Sequence, residues 1–129
     1  MIAHVLTADG LAVVDLDDET VLALDDAAAF EPASVPSVSL PRLVAAAAAG
    51  STVVAVVDTK PPLVVSHDGG VTWRASGRGL PAGRAVAVAP DDPDLILYAA
   101  RNRLYLSRDG GRFWRGLAIE LPEIEAVSV

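Results

Sequence analysis

The sequence contains no cysteine, which excludes disulfide staples, zinc-thiolate sites and a thiol nucleophile. Histidine is nearly missing too: His4 and His67 are the only copies and stand far apart, so no transition-metal site is expected. Aromatics are scarce, with two Trp, two Tyr and two Phe, which argues against a lectin of the aromatic-rich kind. Basic residues form no cluster and the formal net charge is −7, so neither nucleic acid nor an anionic membrane surface is an expected partner. The start, Met1-Ile2-Ala3-His4-Val5-Leu6, carries no basic region and meets Asp9 before any long apolar run. Neither a signal peptide nor a transmembrane helix is therefore expected, and the default location is cytoplasmic, although a mature secreted chain would read the same.

What the chain has in excess is apolar surface. Its 129 residues allow one domain, yet 52% are hydrophobic and the mean hydropathy is +0.41. So short a chain has a high surface-to-volume ratio, and the surplus is expected to be buried against another subunit.

Two stretches repeat. Ser66-His67-Asp68-Gly69-Gly70-Val71-Thr72-Trp73 returns 41 positions later as Ser107-Arg108-Asp109-Gly110-Gly111-Arg112-Phe113-Trp114. Each follows an apolar run, Leu63-Val64-Val65 or Leu104-Tyr105-Leu106, and the pattern predicts a strand, a tight turn and a second strand. The glycines can take the positive φ that such a turn needs, Asp and Ser can hold its N–H groups, and Trp is large enough to wedge between sheets. This S-x-D-G-G-x-[TF]-W pattern resembles the Asp box of the BNR or sialidase-type repeat. The resemblance implies an all-β β-propeller in which Ser66, Asp68, Gly70, Trp73, Ser107, Asp109, Gly111 and Trp114 build structural turns away from the ligand site. Sialidases, other glycosidases, lectins, sorting receptors and assembly factors all carry the box, so it speaks to fold more than to function.

A second marker is Leu-Pro at 40–41, 80–81 and 121–122. Each precedes a strand made almost wholly of Ala and Val, which suits the crowded innermost position of a propeller blade. Three four-stranded blades follow: blade 1 over about 1–40, completed by the strand at 124–129, blade 2 over about 41–80 and blade 3 over about 81–121. In blade 1, Asp15-Leu16-Asp17-Asp18-Glu19 is read as a worn box, with Asp17 matching Asp68 and Leu22 matching Trp73. Residues 25–41 are a longer connection, and Asp91-Asp92-Pro93-Asp94 is the first turn of blade 3. Three blades cannot close a ring, since 4 to 8 is the usual number. The expectation is a homodimer forming a six-bladed ring, 1–129 being one half, with the Ala126 to Val129 strand of each chain entering blade 1 of the other, the alternative being that the sequence is a piece of a longer propeller.

Candidate chemistry is thin. Ser66-His67-Asp68 spells a hydrolase triad, but consecutive residues point to different sides and cannot form the relay, so no catalytic residue is assigned. The acidic runs Asp15 to Glu19 and Asp91 to Asp94 lack the spacing of an EF-hand and are read as solvated turns, so no metal and no cofactor are expected. Trp73 and Trp114 are read as buried wedges between blades and not as sugar platforms. At the blade ends opposite the boxes, Arg42, Arg84 and Glu125 begin successive inner strands, while Asp58 (with Lys60) and Arg101 (with Arg103) occupy the other loops. These form the candidate channel mouth, able to hold an anionic or polyhydroxylated ligand. An active sialidase, by the same resemblance, needs an arginine triad, a Tyr–Glu pair and an Asp acid. Here Tyr98 and Tyr105 lie in strands beside the third box without a Glu partner.

The reading is thus a non-enzymatic binding or scaffolding module, dimeric, engaging a protein or a small polar ligand. Two alternatives stay open. One is a sialidase-like glycoside hydrolase, or its catalytically lost relative, for which Glu125 with Asp58 is the only carboxylate pair to nominate. The other is a carbohydrate-binding lectin.

Overall fold

A computed structural model describes residues 1–25, 30 and 36–129. Among them there is no helix; twelve strands form three antiparallel sheets of four. Sheet I holds β1 (Ile2–Thr7), β2 (Gly10–Asp15), β3 (Thr20–Asp25) and β12 (Ile124–Ser128), in the order β12-β1-β2-β3. Sheet II runs β4 (Leu43–Ala49), β5 (Thr52–Val57), β6 (Leu63–Ser66), β7 (Arg74–Ser76). Sheet III runs β8 (Ala85–Ala89), β9 (Asp92–Ala100), β10 (Arg103–Ser107), β11 (Arg115–Gly116). The expected all-β chain of three four-stranded units is present. No sheet is closed on itself.

Near-continuous apolar runs in β8 and β9 give sheet III two apolar faces, and these stack the three sheets in a row. Sheet III lies in the middle. Val86, Val88, Ile96 and Tyr98 on one face pack against Val54, Val56, Leu63 and Val65 of sheet II. On the other face Leu95, Leu97, Leu104 and Leu106 pack against Ala3, Val5, Ala12 and Val14 of sheet I. The small-residue strands β4, β8 and β12 lie side by side, β8 touching both of the others. Side chains of one to three carbons permit that approach where sheets converge.

Three expectations are corrected. First, β12 pairs with β1 of its own chain, Val127 opposite Val5 and Ala126 opposite Leu6, so the strand exchange between two chains is overturned. The reason is chain reach. β3 ends at Asp25 and β4 begins at Leu43, and such a connection can span up to about 50–60 Å at ~3.3 Å per residue. Sheet I can therefore dock on sheet III of the same chain. Most of the connection, 26–29 and 31–35, lies outside the described residues.

Second, the worn box is out of register by one. Thr7 pairs with Gly10 as Ala100 pairs with Arg103, both across two-residue turns. Ser107 stands four residues past Arg103, and four past Gly10 is Val14, not Asp15. The packing agrees, since Val5 and Ala12 face sheet III just as Tyr98 and Tyr105 face sheet II. Asp17 and Leu22 are thus not the counterparts of Asp68 and Trp73, and Leu22 is exposed. Third, β9 already begins at Asp92, with Ala89 paired to Asp92 across a bulge, so the first turn of the third unit is shorter than Asp91 to Asp94.

Candidate functional site

The two boxes are built alike. Ser66 Oγ donates to Asp68 Oδ1 (2.7 Å) and accepts from Gly70 N (2.8 Å), while Asp68 accepts from Thr72 N (2.9 Å) and from the Thr72 hydroxyl. In the second box Ser107 Oγ donates to Asp109 Oδ1 (2.8 Å) and accepts from Gly111 N (2.9 Å), and Asp109 accepts from Phe113 N (3.0 Å) and Arg112 N (3.1 Å). Gly70 and Gly111 have φ of 94° and 92°, the left-handed region in which a Cβ is strained. Hydrogen bonds to the charged form lower a carboxyl's pKa. Asp68 is held far below the usual carboxylate range, first by the Thr72 hydroxyl and then by the Thr72 N–H and Ser66. Asp109 is lowered chiefly by the Phe113 N–H. These carboxylates are committed to their own turns.

The same geometry disposes of the apparent triad. His67 Nδ1 lies 3.4 Å from Thr52 Oγ1, while the Ser66 hydroxyl faces Asp68. Serine and histidine are turned to different partners, and no relay forms.

The tryptophans part company. Trp114 reaches across the seam to sheet II, its Nε1 donating to Ser76 Oγ at 2.9 Å, with its ring edge-on to Tyr98 at 6.1 Å. Ser76 in turn donates to the Gly111 carbonyl. Trp73 stands at the end of the row, half-buried beside His67, Asp68 and Thr72, and among the described residues no sheet packs beyond it. Only one of the two expected inter-sheet wedges is therefore made.

The acidic run at 15–19 is tied down by neighbours. Asp15 Oδ1 accepts from Asp17 N (2.9 Å) and Asp18 N (3.1 Å); Asp17 binds the Met1 ammonium (2.7 Å) and Arg108 (2.9 Å). The N-terminal ammonium holds the Asp17 carboxyl below its ordinary range, with Arg108 adding to the effect. Glu19 pairs with Arg115 and accepts from Ala118 N (3.1 Å), so sheets I and III are also joined by charge.

Along β4, β8 and β12 runs a groove of about 310 Å³, floored by Ala and Val and bordered by Arg84, Glu125 and Phe30. Of the five expected mouth residues the structure brings Arg84 and Glu125 to this groove, and Arg84 pairs with Glu123 at 3.5 Å. Arg42, Asp58 and Arg101 lie at the same strand ends, exposed, but not in its lining. Asp58 N donates to the Arg42 carbonyl at 3.0 Å, and Ile124 N to the Arg101 carbonyl at 2.6 Å. Arg42 and Arg101 both have left-handed φ, 57° and 54°, uncommon for a residue that carries a Cβ. Of the nominated carboxylate pair, Glu125 borders this groove and Asp58 does not.

Sequence reasoning missed a second cleft. About 320 Å³ in volume, it follows β7 along the seam between sheets II and III and is lined by His67, Arg74, Arg78 and Arg112 among others. No linear pattern joins residues 74, 78 and 112; only the stacking of one sheet on the next brings them together. Compared with known proteins, the chain matches no family profile, no curated protein and no solved structure.

Proposed function

We propose that this chain is a non-enzymatic binding or scaffolding module of β-propeller type, half of a ring, which engages its ligand at the groove along β4, β8 and β12. The observation that carries the reading is that groove, an apolar floor of small residues with one cation and one anion, Arg84 and Glu125, on its border. Apolar concavities with a few placed charges are the usual form of a binding site. The paired Asp-box turns support the blade-like character of sheets II and III, since the carboxylates serve the turns and leave the groove free for a ligand.

Ring closure by a second copy belongs to the same proposal, without exchange of β12. Its support is that six exposed apolar side chains fall at the two ends of the row, Ile2, Val21, Leu22 and Leu24 on sheet I and Leu43 and Val44 at the edge of sheet II, while Val71 and Phe113 are exposed on the two Asp-Gly-Gly turns. The partner would be a second copy of the chain, and the ligand a protein segment or a small polar molecule.

Light scattering and a binding screen test this together. A particle of twice 13.3 kDa, and a peptide or saccharide ligand whose binding is lost in Arg84→Ala and Glu125→Ala, are expected. Turnover of aryl glycosides or a sialic-acid substrate that vanishes in Glu125→Gln would replace the binding module with a hydrolase.

A further inference from the structure

The seam cleft beside β7 gathers three guanidinium groups, Arg74, Arg78 and Arg112, and none of its lining residues is acidic. Among the described residues these three side chains make no ion pair and donate no hydrogen bond, whereas Arg84, Arg108 and Arg115 are each matched to a carboxylate. The chain has 17 acidic residues against 10 basic ones, so carboxylate partners are plentiful. A cleft lined by one sign of charge focuses its field and raises the local concentration of counter-ions, even where, as here, the three side chains are exposed. Two of the neighbouring carboxylates are already spent, Asp68 on Thr72 and Asp109 on Phe113. Asp94 lies beside Gly110 and His67, in an adjoining hollow that it shares with Asp109 and Arg112, and is not among the residues that line the cleft itself.

The backbone shapes the floor. Gly111 approaches sheet II so closely that a Cβ there would stand 3.0 Å from Val65 and 3.4 Å from Ser76 Oγ. With that approach Arg112, in the turn after β10, lines one cleft with Arg74 of β7 and with Arg78 in the turn that follows β7.

We propose that this seam is a binding site for a multivalent oxyanion, a phosphate or sulfate ester on a small ligand, held by Arg74, Arg78 and Arg112. Guanidinium forks match tetrahedral oxyanions, two N–H groups to two oxygens. A cavity of about 320 Å³ leaves room for more than the bare anion, and clefts from roughly 300 Å³ upward take small organic ligands. The site is separate from the groove along β4, β8 and β12. It bridges two sheets, so occupancy also clamps the seam.

Calorimetric titration of the whole chain at low ionic strength tests it. Inorganic pyrophosphate is the probe, and glucose 6-phosphate and glucose 6-sulfate are compared to separate phosphate from sulfate esters. Saturable 1:1 binding is expected, weakened about tenfold or more by Arg78→Gln and by Arg112→Gln, and falling steeply with added salt. Arg42→Gln and Arg84→Ala, both away from the seam, leave it unchanged. No saturable heat with any probe up to about 10 mM, or equal losses in Arg42→Gln, overturns the site. Loss of groove binding in Arg84→Ala with pyrophosphate binding intact would separate the two sites.

Discussion

The indole Nε1 of Trp114 donates to the hydroxyl of Ser76 at 2.9 Å, tying the box turn of sheet III to the outer strand of sheet II. Ser76 is buried and its own hydroxyl donates to the Gly111 carbonyl. Ser76→Ala therefore strands one donor and one acceptor in the seam. A loss of about 1–3 kcal/mol in urea unfolding is expected. Trp114→Phe added to Ser76→Ala costs less than the separate losses summed, because the two share one bond.

Asp68 and Asp109 give the chain an acid dependence of known sign. Both carboxyls are depressed in the folded protein, whereas an unfolded Asp titrates near 3.9. Their contribution is complete above that value and drains away as pH falls below it toward the folded values. Thermal melts between about pH 5 and pH 2 should show a falling Tm whose slope is shallower in Asp68→Asn and shallower again in the double variant with Asp109→Asn. Equal slopes in all three would show that the turns are not held by these carboxylates.

Tyr98 works in the opposite direction. Its ring is fully buried and its hydroxyl donates to the Pro81 carbonyl at 2.7 Å. Burial pushes its pKa up to about 12, with Tyr105 adding to the rise. Stability from this group is present below the unfolded value near 10 and is lost as pH climbs through the folded one. Tyr98→Phe should flatten the alkaline fall in Tm. Gly83→Ala is a sharper probe, because its Cβ would sit 2.1 Å from the Tyr98 hydroxyl. It is expected to cost about 3 kcal/mol or more, part of which returns in the Gly83→Ala, Tyr98→Leu double variant.

How far the sequence speaks can be judged at particular residues. Ser66, Asp68 and Gly70 announced their turn because the side-chain bonds that shape it are local, closed within four residues. The small-residue strands were legible for a similar reason: runs of Ala and Val such as Leu43–Ala49 suit strands that lie close to one another. At Val14 the local cue misled. Asp15 looks like a box residue and caps its own turn, yet register is set by the Thr7 to Gly10 turn and by which face meets sheet III. The partner of β12 was misassigned because pairing with its own β1 depends on a connection whose route no local pattern specifies. Arg74, Arg78 and Arg112 meet only across a seam, a relationship between sheets that spacing along the chain does not encode.

The placement of β12 beside β1 within one chain bears most directly on this architecture, and the absence of native cysteine makes it easy to probe. Leu6 and Ala126 are paired across the two strands and only partly buried, so Leu6→Cys together with Ala126→Cys places two thiols within reach of a disulfide. After mild oxidation and denaturation without reductant, the account predicts a closed, single-chain species at 13.3 kDa. A covalent dimer, formed at high yield from dilute protein and absent from either single variant, would contradict it.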